Sequence, residues 1–280
     1  MTRTRVGFVT AVQLGLDCLI EIHRLGGPID LVITLDDDTA KKKSGRVFLD
    51  DYAAMSGAQL HKTSHINNPE TIEAIREASL DYLLVIGWSQ LIAGEIFPLI
   101  KHPPLGIHPT LLPEGRGRAP IPWTILKGLR RSGVTMFELR PEADSGDIIA
   151  AEEYDVAPDE TATTLYAKAC NAHVSLIRHI WPDLLAGTLK GRAQDDTKAT
   201  HWPQRRPADG EITEELSLEE IDRLVRATTH PYPGAFVMEN NKKLIIWAGA
   251  IQKLEGGEFT TPKLARGERA FVPTDFEWVS

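Results

Sequence analysis

Arg5-Val6-Gly7-Phe8-Val9-Thr10 is followed by Leu14 to Leu25 and then by Ile29-Asp30-Leu31-Val32-Ile33-Thr34-Leu35. The first and last of these are short, nearly unbroken apolar runs, the pattern of strands covered on both faces. The middle segment repeats its apolar residues at helical spacing and closes on Gly26-Gly27, the residue type that stops a helix. Strand, helix, strand is a βαβ unit, whose crossover sets its two strands parallel.

The alternation continues outward from there. A strand near Gln59 to His61, a helix from Pro69 to Ala78 opened by Asn68 as its cap, and the strand Tyr82-Leu83-Leu84-Val85-Ile86 extend the pattern. The expected fold is therefore α/β: a doubly wound, Rossmann-like parallel sheet over residues 1–190. The turn after the first strand reads Ala11-Val12-Gln13-Leu14-Gly15, not Gly-x-Gly-x-x-Gly, which argues against a nicotinamide dinucleotide. Asp36-Asp37-Asp38, Lys41-Lys42-Lys43 and Ser44-Gly45 read as an exposed charged loop. Past the helical stretch Thr164 to Leu185, the chain turns polar at Ala193-Gln194-Asp195-Asp196-Thr197-Lys198 and reaches Arg205-Arg206-Pro207. A helix at Leu218 to Ala227 and strands Ala235 to Met238 and Lys243 to Trp247, joined by Asn240-Asn241, outline a small mixed α/β C-terminal subdomain over residues 203–280.

Composition removes several function classes. Hydrophobic residues at 42% and charged residues at 25% give the chain a core to bury. Lys and Arg number 31 against 39 Asp and Glu, a net charge of −8 that disfavours nucleic acid as a partner. Cys18 and Cys170 are the only cysteines; their spacing suits neither a disulfide framework nor a zinc site, and points to a reducing compartment. With no secretory signal pattern at the N-terminus and no apolar stretch of spanning length, the expectation is a cytoplasmic protein without a membrane partner.

The densest motif is Leu105-Gly106-Ile107-His108-Pro109-Thr110-Leu111-Leu112-Pro113-Glu114-Gly115-Arg116-Gly117-Arg118-Ala119-Pro120-Ile121-Pro122-Trp123. A short apolar strand ends at a histidine and opens into a Pro- and Gly-rich loop, and a helix starts near Pro120, where proline suits the first turn. The carboxyl edge of a parallel sheet is where α/β proteins place their ligand sites. Downstream, the strand Gly133 to Leu139 leads into the loop Arg140-Pro141-Glu142-Ala143-Asp144-Ser145-Gly146-Asp147 and the strand Ile148-Ile149-Ala150. Taken singly, the histidine reads as a hydrogen-bonded structural group and the Asp-Ser-Gly-Asp loop as a turn.

Together these segments resemble the formyltransferase family that uses 10-formyltetrahydrofolate. The resemblance covers most of the chain: the N-terminal units, the His-Pro-x-x-Leu-Pro loop with Arg-Gly-Arg-Ala-Pro, the Gly-Val-Thr strand, the Asp-x-Gly turn, and Arg226-Ala227 with Pro231-Tyr232-Pro233-Gly234-Ala235-Phe236. It implies a site of an Asn, a His and an Asp, with His108 and Asp144 as the catalytic pair and Asp144 orienting the histidine. The family's Asn falls two residues before the His, where this chain has Gly106. The resemblance implies for that Asn a hydrogen bond to the formyl oxygen as charge develops, a role worth about a few kcal/mol. Asn171 and Gln90 are the side-chain candidates to replace it.

The resemblance also implies that the pterin of the formyl donor lies against the backbone near Gln90, Leu91 and Ile92, with Arg140, Pro141, Glu142, Ala143 and Asp144 closing the other side. Trp88 and Trp123 are candidate flanks. Arg118 stands where related sugar-modifying enzymes contact their nucleotide-sugar, and a guanidinium suits phosphate recognition. A histidine beside a carboxylate can take the proton of an attacking amine and return one to the leaving nitrogen, so no metal is required.

The acceptor expected on this resemblance is a nucleotide-linked amino sugar. Methionyl-tRNA is a second reading; the tRNA branch carries a longer C-terminal domain, and the tail from Phe259 to Ser280 balances Lys263, Arg266 and Arg269 against Glu268, Asp275 and Glu277. Hydrolysis of the formyl donor and folate binding without turnover are the remaining readings. A homodimer through the strands from Ala235 onward is a further expectation.

Overall fold

Strands β1 (Val6–Val9), β2 (Leu31–Leu35), β3 (Gln59–Thr63), β4 (Tyr82–Val85) and β5 (Leu105–His108) follow one another with helices between them in the computed structural model. The structure describes residues 3–40, 46–239, 242–254 and 262–279. The Lys41-Lys42-Lys43 and Ser44-Gly45 loop, the Asn240-Asn241 turn and Phe259 and Ser280 of the tail lie outside the described residues. The helices are α1 (Gln13–Arg24), α2 (Asp37–Ala40), α3 (Asp50–Ser56), α4 (Pro69–Ala78), α5 (Pro120–Leu126), α6 (Ala162–Ala186) and α7 (Leu218–Thr228). The chain divides into two compact units: residues 1–116, 133–153 and 169–200 form the first, and residues 117–132, 154–168 and 201–280 the second.

The first unit is built on a sheet in the order β3, β2, β1, β4, β5, then Arg131–Glu138 and Ile148–Asp155. Its first five strands are parallel, with Val6 opposite Tyr82 and Gly7 opposite Leu31. The strand Arg131–Glu138 runs antiparallel to β5 and sets Phe137 opposite Gly106 and Thr135 opposite His108. Strand order reverses between β1 and β4, the switch point at whose carboxyl side such sheets bind ligands. Every residue of β1 and β2 is buried, as the unbroken apolar runs require.

α1 buries the stripe Leu14, Cys18, Leu19 and Ile22. It ends where the sequence places its stop: Gly26 takes a left-handed φ of 68°, and Gly27 N donates to Ile22 O at 2.9 Å while Gly26 N donates to His23 O at 3.0 Å. α4 begins after Asn68, but the expected side-chain cap does not form. The Asn68 amide donates instead to Thr63 Oγ1 at 3.3 Å and Ser64 Oγ at 3.1 Å, leaving Pro69 at the first helical position to start the helix. The aspartate run expected as an irregular loop becomes a helical turn, because Asp36 Oδ1 accepts from Thr39 N at 2.7 Å.

The second unit packs α7 on an antiparallel sheet in the order Ala235–Glu239, Lys242–Lys253, Arg269–Val279, Ala265–Arg266. Ser217 and Glu220 cap α7 reciprocally, with Glu220 N donating to Ser217 Oγ at 3.2 Å and Ser217 N to Glu220 Oε2 at 2.8 Å. Leu218, Ile221, Leu224 and Val225 then pack on Val237, Leu244, Ile246 and Phe271. Among the described residues no helix is long and apolar enough to cross a membrane.

Candidate active site

β5 carries His108 to the carboxyl edge of the sheet, where its side chain is buried. Its Nε2 lies 2.8 Å from Gly115 O. A carbonyl oxygen only accepts, so Nε2 bears a proton and the neutral ring presents its lone pair at Nδ1. Nδ1 is 3.6 Å from Asp144 Oδ2, too long for a hydrogen bond and within range of an ion pair.

Each of these groups is held by its own contacts. Thr135 Oγ1 donates to Thr110 O at 2.7 Å and accepts from Leu112 N at 3.1 Å, pinning the loop just after His108. Gly115 N donates to Thr200 Oγ1 at 2.9 Å, which fixes the carbonyl that meets the ring. Asp144 takes a positive φ of 56°, unfavourable for a residue with a Cβ. Gly146 follows, where an added Cβ would lie 1.7 Å from Glu138 O, so only glycine fits the turn. Gln194 Nε2 donates to Asp144 O at 2.8 Å and to Gly146 O at 2.7 Å.

At Gly106 the space that a side chain would enter is occupied. A Cβ there would meet Leu139 Cδ2 at 2.7 Å and Phe137 Cε1 at 3.5 Å. Leu139 packs in the same small cluster as Leu112, Phe137 and Ile148. The two expected replacements for the missing amide are otherwise engaged or placed. Gln90 Oε1 accepts from Ile66 N at 2.8 Å and its Nε2 donates to Ser64 O at 3.0 Å. Asn171 is exposed on α6, in a shallow groove with Asp17, Glu21 and Arg178.

The segment Gln90 to Ile92 is anchored to the 64–67 turn. Asn67 Nδ2 donates to Leu91 O at 3.0 Å, and Ala93 N donates to Asn67 Oδ1 at 2.9 Å. Leu91 projects outward while Ile92 and Trp88 pack on the core below. Across the loop, Arg140 folds back to Asp147 at 2.9 Å, and Pro141, Glu142 and Ala143 are exposed. Arg118 and Trp123 belong to the second unit. Arg118 is exposed, its N–H donating to Trp202 O at 3.0 Å. Trp123 Nε1 donates to Pro203 O at 2.9 Å, with the Arg205 guanidinium 5.1 Å from its ring, contacts within that unit.

His173 on α6 is a titratable group that sequence reading does not single out. Burial lowers its pKa to about 4, a hydrogen bond from Nδ1 to Ala169 O opposes that shift, and the proximity of the His108 ring adds to it. Among the described residues no group of three or more His, Cys, Asp or Glu is placed to hold a metal.

The sheet places a histidine and an aspartate face to face at its carboxyl edge, in an α/β protein. The formyl transferase family matches residues 18–180, and the family's C-terminal domain matches residues 205–273. The chain belongs to the formyl transferase family. Its fold is similar to that of HypX from Aquifex aeolicus in complex with tetrahydrofolic acid, with a TM-score of 0.68 and 19% identity over 91% of this chain and 40% of that one. The chain thus spans about two fifths of the length of that protein. Methionyl-tRNA formyltransferase from Clostridium thermocellum matches at TM-score 0.64 and 19% identity over 99% of both chains. The N-formyltransferase from Helicobacter canadensis, in complex with folinic acid and dTDP-3-aminofucose, matches at TM-score 0.70 and 16% identity over 92% of this chain and 93% of that one.

Proposed function

We propose that the protein moves a formyl group from 10-formyltetrahydrofolate to the primary amine of a nucleotide-linked amino sugar, with His108 and Asp144 as the catalytic pair. The observation that carries the reading is the histidine at the end of β5 whose Nδ1 faces Asp144 at 3.6 Å. Attack of the amine nitrogen on the formyl carbon forms one C–N bond, and loss of the folate nitrogen breaks another. His108 Nδ1 accepts the proton released by the amine and delivers it to the leaving nitrogen. Gly115 O holds the opposite ring nitrogen meanwhile, and Asp144 stabilises the transient imidazolium.

The donor is assigned to the backbone at Gln90, Leu91 and Ile92 and to the loop Arg140, Pro141, Glu142, Ala143 and Asp144. The rigid anchoring of Leu91 and Ala93 by Asn67 supports a preformed edge there. Arg118, exposed and with no side-chain partner among the described residues, is assigned the phosphates of the acceptor. The Helicobacter canadensis neighbour is in complex with folinic acid and dTDP-3-aminofucose, which supports a folate donor and a nucleotide-linked amino sugar as the classes of ligand. A methionyl-tRNA acceptor is the second reading, favoured by the end-to-end match to the Clostridium thermocellum enzyme and opposed by the net charge of −8.

The test is a single-turnover assay with 10-formyltetrahydrofolate and, in separate reactions, dTDP-linked amino sugars, methionyl-tRNA or buffer alone. Formylated sugar is the expected product. Formyl-methionyl-tRNA alone would transfer the reading to the tRNA branch, and free formate in every reaction would make the protein a hydrolase.

A further inference from the structure

A closed ring of contacts runs from His108 to Asp144 without passing through any substrate. His108 Nε2 meets Gly115 O. The next residue, Arg116, is buried, and its Nε and Nη2 donate to Gln194 Oε1 at 3.1 and 2.8 Å. Gln194 Nε2 donates to Asp144 O and Gly146 O at 2.8 and 2.7 Å, and Asp144 faces His108 again at 3.6 Å. All the members lie in the first unit.

We propose that Gln194, backed by Arg116, is a positioning residue that holds Asp144 in place against His108; the proposal rests on the reading of that pair given above. Asp144 needs such a hold, because its φ of 56° costs a residue with a Cβ roughly 1 kcal/mol or more. Both N–H bonds of one amide are spent on the carbonyl of the strained residue and on that of Gly146, two residues further on. The amide cannot turn over, because its oxygen faces a guanidinium that only donates. Arg116 is itself fixed by Asp196 Oδ1 at 2.6 Å. Gln194 reaches this place because Arg192 and Ile148 exchange two backbone hydrogen bonds of 2.8 Å, which lays the polar segment beside the strand that leaves the Asp144 loop.

Replacing the amide by a carboxylate separates the positioning role from the structural one. Gln194→Glu keeps an acceptor for Arg116, and strengthens it by charge, but it has no hydrogen to give Asp144 O or Gly146 O. The experiment measures melting temperature, kcat, KM for both substrates and the pH profile of kcat for Gln194→Glu, Asp144→Asn and the double variant, using formyl transfer from 10-formyltetrahydrofolate to a dTDP-linked amino sugar. Expected for Gln194→Glu is a lowered melting temperature that still leaves the variant folded at the assay temperature, kcat lower by roughly 10- to 100-fold with KM values changed by less than about threefold, and a pH profile displaced in the same direction as that of Asp144→Asn. The double variant should be no slower than Asp144→Asn alone, since the amide acts through that carboxylate.

A slow Asp144→Asn beside a Gln194→Glu of wild-type kcat and pH profile would overturn the positioning role and leave the catalytic pair intact. Fully multiplicative losses in the double variant would overturn it as well. Wild-type turnover in Asp144→Asn would instead overturn the catalytic pair, and this proposal with it.

Discussion

Leu139 occupies the ground that a side chain at Gly106 would need, with its Cδ2 2.7 Å from the position of a Cβ there. The chain has glycine at that point, and hydrocarbon crowds the place where a side chain would start. Because the obstacle is the end of a flexible side chain, Gly106→Asn should fold, at a cost of about 1–3 kcal/mol in chemical denaturation. Its transfer rate should not rise. Gly106→Asn combined with Leu139→Ala opens the space, and its single-turnover rate should exceed that of Leu139→Ala by roughly tenfold or more. Equal rates for those two variants would show that the amide has no catalytic place to occupy here.

His173 makes a distinct contribution to pH stability. Its pKa of about 4 in the folded chain lies below the ordinary 6.5, so between those values the unfolded chain binds more protons and acid favours unfolding. The stability is fully present above pH 6.5 and is lost as pH falls toward 4, by on the order of 3 kcal/mol in total. Urea denaturation at pH 7.5 and pH 5 compares the wild type with His173→Gln. The variant should show a flatter dependence over that interval, whatever its offset at pH 7.5. An unchanged slope would mean that the buried ring is not the group titrating.

Arg118 supplies a binding test separate from the chemistry. If it meets a phosphate, Arg118→Ala loses a charge-assisted bond of about 1.5–3 kcal/mol, so KM for the acceptor should rise by roughly tenfold or more. KM for the formyl donor should stay within about twofold. A fall in kcat with neither KM altered would remove Arg118 from the substrate contacts.

Gly27 gives a purely structural check on the packing of α6. A Cβ at that position would lie 2.4 Å from Nε1 of the buried Trp181. Gly27→Ala should destabilise by about 1–3 kcal/mol, because an indole ring in a packed core cannot swing aside. A denaturation midpoint equal to wild type would show that this helix has room to shift.

Much of the first unit is legible in the sequence because its signals are local. Apolar runs such as Leu31 to Leu35 and the Gly26-Gly27 stop depend on near neighbours alone. The strand at Ile148 reads as three residues but extends to Asp155, because its outer part alternates exposed polar with half-buried positions. The strand from Lys242 to Lys253 outruns its apolar signal in the same way. The two units interleave along the chain, which no change of composition near residue 203 reveals. His108 and Asp144 stand out through motifs, but Gln194 reads only as part of a polar connector. Its role arises from partners 50 and 78 residues away, and such pairings carry no local signature. His173 is equally silent, one histidine in a helix whose meaning comes from what surrounds it.

The role proposed for His108 is to move the proton of the attacking amine. It is tested most directly by the single-turnover rate of formyl transfer from 10-formyltetrahydrofolate to the sugar amine in His108→Ala, with circular dichroism to establish that the variant is folded. The expected result is a rate lower by roughly 100- to 10,000-fold with the fold retained. A folded His108→Ala that transfers formyl within about threefold of the wild-type rate would contradict the account.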